Sequence, residues 1–177
     1  MASIISACQA GTIEADPILV VSPKAGTPAV LRAEAHKVAV EVSSSKSESY
    51  AEELSEILTR YKIDIICLAG YMSLMPLDIV RRYENRILNV HPALLPKFGG
   101  KGMYGIHVHE AVIAAGEKES GCTVHFVTEN YDEGPVILQK KCPVEPGDTP
   151  EDLAMRVLEL EHAAYCEALI RVISELK

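Results

Sequence analysis

The sequence predicts an α/β protein with a Rossmann-like, open and mostly parallel sheet, helices on both faces and an antiparallel strand pair near the C-terminus. Short apolar runs alternate with helical patterns through most of the 177 residues, as in parallel strands joined by right-handed crossovers. The last two runs, residues 122–127 and 136–144, are separated by a loop too short for a crossover helix, so they are expected to be antiparallel. The length is that of one domain, which we expect to span residues 1–177.

Local patterns, taken in chain order, predict the individual elements. Helices are indicated by apolar residues three and four positions apart and by end signals such as Thr27-Pro28 and the capping box Thr149-Pro150-Glu151-Asp152. Strands are indicated by short apolar runs between turn signals. The predicted helices cover residues 2–10, 28–35, 47–61, 76–83, 106–115 and 150–176. The predicted strands cover residues 17–22, 38–42, 63–68, 86–90, 122–127 and 136–144.

The fourth predicted strand ends in the segment around which the chain is organised. Asn89 and His91 are two positions apart, so both side chains leave the same face of an extended backbone. Pro92 and Pro96 then remove backbone donors and end the strand. Ligands bind beyond the carboxyl ends of strands in open α/β sheets, so this amide and imidazole are candidate site residues. A histidine beside a proline can also be only a satisfied boundary residue.

Composition excludes several classes of function. The formal charge of −8 argues against a surface for nucleic acid. Five scattered cysteines without a C-x-x-C pair favour reduced thiols over a disulfide framework or a zinc site. A secretion signal would require basic residues near the N-terminus, but no Lys or Arg precedes Lys24. No apolar run approaches the roughly 20 residues that span a bilayer. We therefore expect a cytoplasmic protein that acts on small molecules and not on membranes.

Three further features are not expected to bind metals or nucleotides. His107 and His109 diverge on the first turn of a helix, and no third ligand has suitable spacing for a metal. His125 alternates within a strand and is expected in the core or behind the site. The glycine-rich residues 98–105 lack a directly preceding strand and the spacing of a nucleotide phosphate loop.

Asp132 is the candidate partner of the imidazole. It lies in the loop after the strand at residues 122–127, and that loop reaches His91 if the strand neighbours the one carrying Asn89. The three groups are then expected to meet at the carboxyl end of the sheet. A carboxylate beside His91 would fix its tautomer and raise its pKa, and Asn89 would donate to a developing oxyanion. Such groups suit acyl transfer through a tetrahedral intermediate without a covalent enzyme step. The alternative for Asp132 is a turn-capping role before Gly134.

Glu161 places a carboxylate within the apolar stripe of the last helix. It is four residues from Val157 and four from Tyr165, both members of that stripe. A carboxylate on a buried face needs a partner. A substrate amine or cation is one candidate, and a neighbouring Lys or His, or exposure at the edge of the stripe, is the other.

Several longer motifs, in this order along essentially the whole chain, resemble the phosphoribosylglycinamide formyltransferases, which are folate-dependent. The motifs are Leu68-Ala69-Gly70-Tyr71-Met72, Asn89-Val90-His91-Pro92-Ala93-Leu94-Leu95-Pro96, Gly121-Cys122-Thr123-Val124-His125-Phe126-Val127, Asp132-Glu133-Gly134-Pro135-Val136-Ile137-Leu138-Gln139 and Glu161-His162-Ala163. The proline after the histidine, Pro92, favours this family over the similar formyltetrahydrofolate hydrolases.

The resemblance implies transfer of a formyl group from 10-formyltetrahydrofolate to the amine of glycinamide ribonucleotide in purine synthesis, with no metal. It implies that His91 is the acid/base, that Asn89 donates to the formyl oxygen and that Asp132 raises the pKa of His91. The implied folate contacts are Tyr71, Met72, Ser73, Leu74, Met75 and Asn89, and the implied substrate contacts are Glu161 and Pro92. Hydrolysis of formyltetrahydrofolate, or folate binding without activity, are the alternative functions.

The chain departs from the family pattern in three places. Ser73 stands where some relatives have an arginine, and Ser47 stands near a position that is often basic, with Lys46 adjacent. The family opens with an apolar strand and a Gly-x-Gly-Ser-Asn loop that holds the substrate phosphate. Met1 falls just after that loop, so a misplaced start or a truncation is expected. Loss of that strand is expected to leave two unpaired sheet edges and to remove much of the phosphate site.

Overall fold

A computed structural model describes residues 1–176 of the chain. The helices in this part are α1 (Ala2–Gln9), α2 (Pro28–Ala35), α3 (Tyr50–Arg60), α4 (Leu77–Arg82), α5 (Ile106–Ala114) and α6 (Pro150–Glu175). The strands are β1 (Leu19–Ser22), β2 (Ala39–Val42), β3 (Ile66–Cys67), β4 (Ile87–His91), β5 (Glu119–Phe126) and β6 (Val136–Pro143). All twelve predicted elements are therefore present, with shifted ends.

The strands form two hydrogen-bonded sheets. β1 and β2 pair in parallel, and the second sheet has the order β3-β4-β5-β6. Within that sheet β3 and β4 are parallel, whereas β5 is antiparallel to both β4 and β6. The predicted antiparallel pairing of the last two strands is confirmed. Within the described residues, no ladder joins β1 to β3, so each presents an unpaired edge.

Helices cover both faces, which confirms the predicted fold class. On one face α1, α5 and α6 pack over a large cluster that contains Leu88. On the other face α3 and α4 pack over a second cluster that contains Ile87. Because side chains alternate along a strand, Asn89 and His91 leave β4 on the same side as Ile87. Asn89 and His91 therefore lie on the face of the sheet opposite to the one covered by α6.

Long-range pairing explains the shifted strand ends. β3 is shorter than predicted because only Ile66 and Cys67 pair with β4, while the Ile63 amide donates to the Leu58 carbonyl at the end of α3 instead. β5 begins three residues earlier than predicted because Glu119 pairs with Pro143 of β6. The predicted capping box is confirmed at α6, where the side chains of Thr149 and Asp152 each bind the other residue's backbone amide.

Tyr165 links α6 to β3 and β4 through its hydroxyl group. Its buried hydroxyl lies 3.0 Å from the Leu68 carbonyl oxygen and 2.8 Å from the Leu88 carbonyl oxygen. These two carbonyls follow β3 and lie within β4, so one side chain on α6 connects both strands. A hydroxyl has a single hydrogen, so it donates to one carbonyl at a time.

Replacing Tyr165 by phenylalanine should lower the free energy of unfolding by about 1–2 kcal/mol, because a buried carbonyl then loses a donor. Urea unfolding followed by circular dichroism measures this change. The control is Tyr61→Phe, whose hydroxyl donates to Glu41 at the surface and should cost less than about 0.5 kcal/mol. Equal losses in the two variants would contradict the role assigned to Tyr165.

Candidate functional site

His91 lies at the end of β4 with only 3% of its surface exposed. Its Nε2 atom is 2.7 Å from the carbonyl oxygen of Phe98 in the glycine-rich segment. Its Nδ1 atom is 3.5 Å from Oδ2 of Asp132. Both ring nitrogens therefore face oxygen acceptors, an arrangement that stabilises the doubly protonated imidazolium.

Asp132 reaches His91, as expected for a loop that follows a strand neighbouring β4. Because β5 runs against β4, Phe126 at the end of β5 lies opposite Leu88 near the start of β4. The loop after β5 thus leaves at the amino end of β4. It folds back along the sheet to bring the carboxylate to His91.

Gly134 makes this return path possible. A Cβ atom added there would lie 1.8 Å from the Phe126 carbonyl oxygen, so only glycine lets the loop pass this close to the backbone of β5. Asp132 itself has a φ of +56°, in the left-handed region that aspartate tolerates better than most residues. The backbone conformations of Gly134 and Asp132 therefore bring the Asp132 carboxylate towards His91.

The Asp132 carboxylate contacts three segments of the chain. Oδ2 accepts a hydrogen bond of 2.9 Å from the Gly100 amide and faces His91. Oδ1 lies 3.5 Å from Nε2 of His125 in β5. The carboxylate thus joins the glycine-rich segment, the end of β4 and the middle of β5.

Asn89 is held by His125, which lies directly opposite it across the β4–β5 ladder. Nδ1 of His125 is 2.8 Å from the Phe126 carbonyl oxygen, which only accepts, so Nδ1 carries a proton. In the neutral ring Nε2 then accepts from the Asn89 amide nitrogen at 3.2 Å. The second amide hydrogen of Asn89 remains able to donate to a ligand.

Burial opposes charge in determining the pKa values of this group. Burial lowers the pKa of His91 below its usual value, although Asp132 and the Phe98 carbonyl act to raise it. The sequence expectation of a raised pKa for His91 is therefore wrong in its net direction, because removal of the imidazolium from water outweighs its partners. Burial acts to raise the pKa of Asp132, but its contact with His125, the hydrogen bond from the Gly100 amide and the charge of His91 bring it below its usual value.

Thr123 supports the segment that follows His91, a role that the sequence analysis does not assign to it. Its buried hydroxyl donates to the Ala93 carbonyl oxygen at 2.7 Å and accepts from the Leu95 amide at 3.0 Å. It also accepts from the side-chain amide of Gln139 in β6 at 2.9 Å. Its available signal was that Thr123 and His125 are the polar residues of the predicted strand at 122–127.

The predicted folate contacts after β3 separate into exposed and buried side chains. Met72 and Leu74 are 68% and 48% exposed, and they leave an open apolar surface beyond the strand end. The Tyr71 hydroxyl donates to the Leu74 carbonyl oxygen and holds this loop in shape. Met75, in contrast, is buried in the cluster under α3 and α4.

The positions that depart from the family pattern lie in neighbouring loops. The Ser73 and Ser45 hydroxyl oxygens are 2.9 Å apart, so this contact joins the loop after β3 to the loop after β2. Ser47 contacts the Ser49 hydroxyl at the start of α3. Lys46 is exposed beside them and is the basic group of this loop.

A cavity of about 400 Å³ lies beside Asp132. Asp132 is part of its wall, whereas Asn89 and His91 do not line it. Its lining consists of Leu95, Pro96, Gly99, Gly100, Tyr131, Asp132, Glu133, Gly134 and Val136. The volume lies in the range of small-molecule sites, about 300–1,000 Å³.

Glu161 lies on α6, which packs against the opposite face of the sheet, and no hydrogen bond or ion pair joins it to this group within the described residues. Its side chain is half-buried, and burial raises the pKa of its carboxyl to about 7. The Met1 ammonium is the charge that opposes this shift. Neither a lysine nor a histidine forms an ion pair with Glu161 in residues 1–176. The structure therefore provides a half-buried carboxyl that has no strong partner.

His107 and His109 form no hydrogen bond or ion pair with this group within the described residues. His107 is exposed and pairs with Glu110, whereas His109 is buried and its Nδ1 atom has no hydrogen-bond partner within the described part of the chain. Across residues 1–176, no three His, Cys, Asp or Glu side chains are arranged to hold a metal ion. None of the described helices is both long and apolar enough to cross a membrane.

The fold and the site define a Rossmann-like α/β protein with an amide, an imidazole and a carboxylate at one strand of its sheet. Comparison with known proteins gives the family. Residues 1–169 match the sequence profile of the formyl transferase family, and the chain belongs to that family.

Similar proteins carry closely related names. Phosphoribosylglycinamide formyltransferase of Escherichia coli (strain K12) is 38% identical over 167 residues, which is 92% of this chain and 76% of that protein. The chloroplastic enzyme of the same name from Arabidopsis thaliana is 40% identical over 173 residues, 95% of this chain. The chain spans only 59% of the length of that relative. The crystal structure of glycinamide ribonucleotide transformylase 1 from Symbiobacterium toebii superposes with a TM-score of 0.88 at 39% identity, over 98% of this chain and 81% of that one.

Replacing Gly134 by alanine should lower the free energy of unfolding by about 1–3 kcal/mol, because the methyl group overlaps backbone and not a movable side chain. Urea unfolding measures the change. Glu129→Ala, in the same loop but exposed, should change it by less than about 0.5 kcal/mol. A Gly134 variant as stable as the wild type would show that the loop does not need this close passage.

Glu161 should make the folded chain less stable as the pH rises from about 4.5 to about 7. In that range the unfolded chain has released the proton and the folded chain still holds it, so stability falls with rising pH, by up to about 3 kcal/mol. Glu161→Gln should remove this slope and be more stable than the wild type at pH 8. Urea titrations at pH 5 and pH 8 test this, with the exposed Glu159→Gln as the control. A slope that survives in Glu161→Gln would assign it to other groups.

Proposed function

We propose that this chain transfers a formyl group from 10-formyltetrahydrofolate to the amine of glycinamide ribonucleotide, a step of purine synthesis. Membership of the formyl transferase family and the names of its relatives support this proposal. The observation that carries it is the group of Asn89, His91 and Asp132 around β4. Because the chain spans 59% of the Arabidopsis relative, activity of the chain alone is part of the proposal.

The partners of His91 favour direct attack by the substrate amine. The ring contacts the Phe98 carbonyl and the Asp132 carboxylate, and no serine or cysteine in the described residues hydrogen-bonds to it. An activated protein nucleophile needs a base within hydrogen-bond reach, so a covalent enzyme step is not supported. The amine of the substrate is then the nucleophile.

Each member of the group has a proposed role. The free amide hydrogen of Asn89 donates to the oxygen on which negative charge develops. His91 accepts and returns the proton that moves during the transfer, and the carboxylate of Asp132 stabilises the imidazolium formed in between. When bound, the folate supplies the formyl group. The formyl carbon forms a bond to the substrate amine and loses its bond to the donor nitrogen of the folate. One proton leaves the amine, and one proton is added to the donor nitrogen.

The surface around the site suits a folate ring. Met72 and Leu74 offer exposed apolar area beside Tyr71, as an aromatic heterocycle requires. The cavity lined by Gly99, Gly100 and Asp132 adds backbone and carboxylate hydrogen-bonding groups. We propose Tyr71, Met72, Ser73, Leu74 and Asn89 as folate contacts, with Met75 supporting them from the core.

The substrate contacts are proposed at Glu161 and Pro92. Glu161 has a half-buried carboxyl with a raised pKa, and a cationic or hydrogen-bonding substrate group would stabilise its ionised form. Pro92 follows His91 directly and gives the turn a fixed shape. We further propose that residues 1–177 act as one formyltransferase domain on small molecules in the cytoplasm.

His91→Ala should reduce formylation of glycinamide ribonucleotide by about 10²–10⁴-fold, the usual contribution of a positioned acid/base. The assay follows the folate spectrum and the formylated product, and circular dichroism checks the fold. His36→Ala, at the end of α2, is the matched control and should retain full activity.

The same assay separates the alternative functions. Formate release without any amine would indicate hydrolysis of formyltetrahydrofolate and overturn the transferase proposal. Folate binding by isothermal titration without formylation by the wild type would indicate an inactive folate-binding chain. Equal activity of His91→Ala and the wild type would remove His91 from the mechanism.

A further inference from the structure

The contact between His91 and Phe98 fixes which ring nitrogen carries a proton. A backbone carbonyl oxygen has no hydrogen and can only accept, so the 2.7 Å contact requires a proton on Nε2. A neutral His91 in this position is therefore the Nε2–H tautomer, with a bare Nδ1. This assignment follows from the acceptor and does not depend on the charge of Asp132.

The carbonyl of Phe98 is held in place by an unusual backbone conformation. Phe98 has a φ of +56°, which is rare for a bulky residue. Such a conformation costs free energy and persists only where surrounding contacts enforce it. Its side chain is half-buried against the large cluster under α6, which anchors the residue. The next residue is Gly99, where a Cβ atom would lie 2.5 Å from Leu95 and 3.2 Å from Asp132.

The other ring nitrogen faces a carboxylate. Nδ1 lies 3.5 Å from Oδ2 of Asp132, and that oxygen already accepts from the Gly100 amide. In the neutral tautomer a lone pair on Nδ1 faces this negative oxygen, which is unfavourable. A proton on Nδ1 replaces that repulsion by an ion pair, while the bond to Phe98 is unchanged.

We propose that Phe98 is a positioning residue whose carbonyl locks His91 in the Nε2–H tautomer, so that Nδ1, on the side of Asp132, is the atom that takes up and returns the proton. The catalytic part of this inference rests on the proposed formyl transfer. The proton taken up at Nδ1 is the one that the attacking amine loses as its bond to the formyl carbon forms. It is returned to the donor nitrogen as the bond between that nitrogen and the formyl carbon breaks, so no oxidant or reductant is needed.

Three titratable groups from separate elements act on His91. Asp132 from the β5–β6 loop raises its pKa, and the charge of His125 from β5 lowers it. His109 on α5 is the third, since the charge of His91 lowers the pKa of His109. Exchange of the proton at Nδ1 is therefore coupled to these neighbours, whereas the bond from Nε2 to Phe98 involves no titratable partner.

Nitrogen-15 NMR of the histidine-labelled chain tests the tautomer directly, without substrate. Long-range proton–nitrogen spectra, recorded above the pKa of His91 and assigned with His91→Gln, should show a protonated Nε2 and a bare Nδ1. A protonated Nδ1 in the neutral ring would overturn the inference.

Variants at Phe98 test the anchor. Phe98→Ala should release the strained backbone, mix the two tautomers and lower kcat/KM by about tenfold, as expected for loss of one hydrogen bond. Phe98→Leu, which keeps apolar bulk, should restore the wild-type spectrum. Ile173→Ala removes apolar packing from the same cluster at a position on α6, and it should leave the tautomer unchanged. An unaltered His91 spectrum in a folded Phe98→Ala would overturn the anchoring role.

The two proposals fail in distinguishable ways. If the wild type shows the Nε2–H tautomer but never formylates the amine, the proposed function fails and the assignment of the proton stands. If the wild type formylates the amine while His91 is the Nδ1–H tautomer, the role of Phe98 fails alone.

Discussion

The site depends on one carboxylate, that of Asp132. It accepts from the Gly100 amide and faces both His91 and His125. These contacts bring together a glycine-rich segment, the end of β4 and the middle of β5, which are far apart in the chain. The carboxylate is half-buried, so its charge is only weakly screened, and it acts to raise the pKa of His91 against the effect of burial. A neutral residue of the same shape would fill the space without providing that field.

Burial is the opposing influence. It lowers the pKa of His91 although Asp132 and the Phe98 carbonyl raise it, and it raises the pKa of Glu161 to about 7. The fold therefore places an imidazole whose pKa is lowered by burial beside a carboxylate that stabilises its charged form. These opposing influences suit the proposed transfer, in which a proton is gained and lost in turn.

Much of the fold was predictable because it follows from local periodicity and end signals. The alternation along β4 predicted that Asn89 and His91 share a face, and both side chains reach the group that contains His125 and Asp132. The capping box at Thr149 predicted the start of α6. Long motifs around His91 and Asp132 also pointed to the family, and the profile match confirms it. These features depend on residues within one or two turns of each other, so the sequence alone determined them.

Other features depend on contacts between distant segments, and only the tertiary structure decided them. Because β5 runs antiparallel to β4, the loop that carries Asp132 must fold back past the backbone of Phe126. Only a residue without a Cβ atom, Gly134, lets the loop pass this close. The net direction of the His91 pKa followed from its depth of burial, which no local pattern gives. Nε2 of His91 contacts the backbone carbonyl of Phe98, seven residues further along the chain, and the left-handed conformation of Phe98 places that carbonyl. The sequence by itself determined which groups are present, and packing decided how they face each other, because burial and orientation depend on the whole chain.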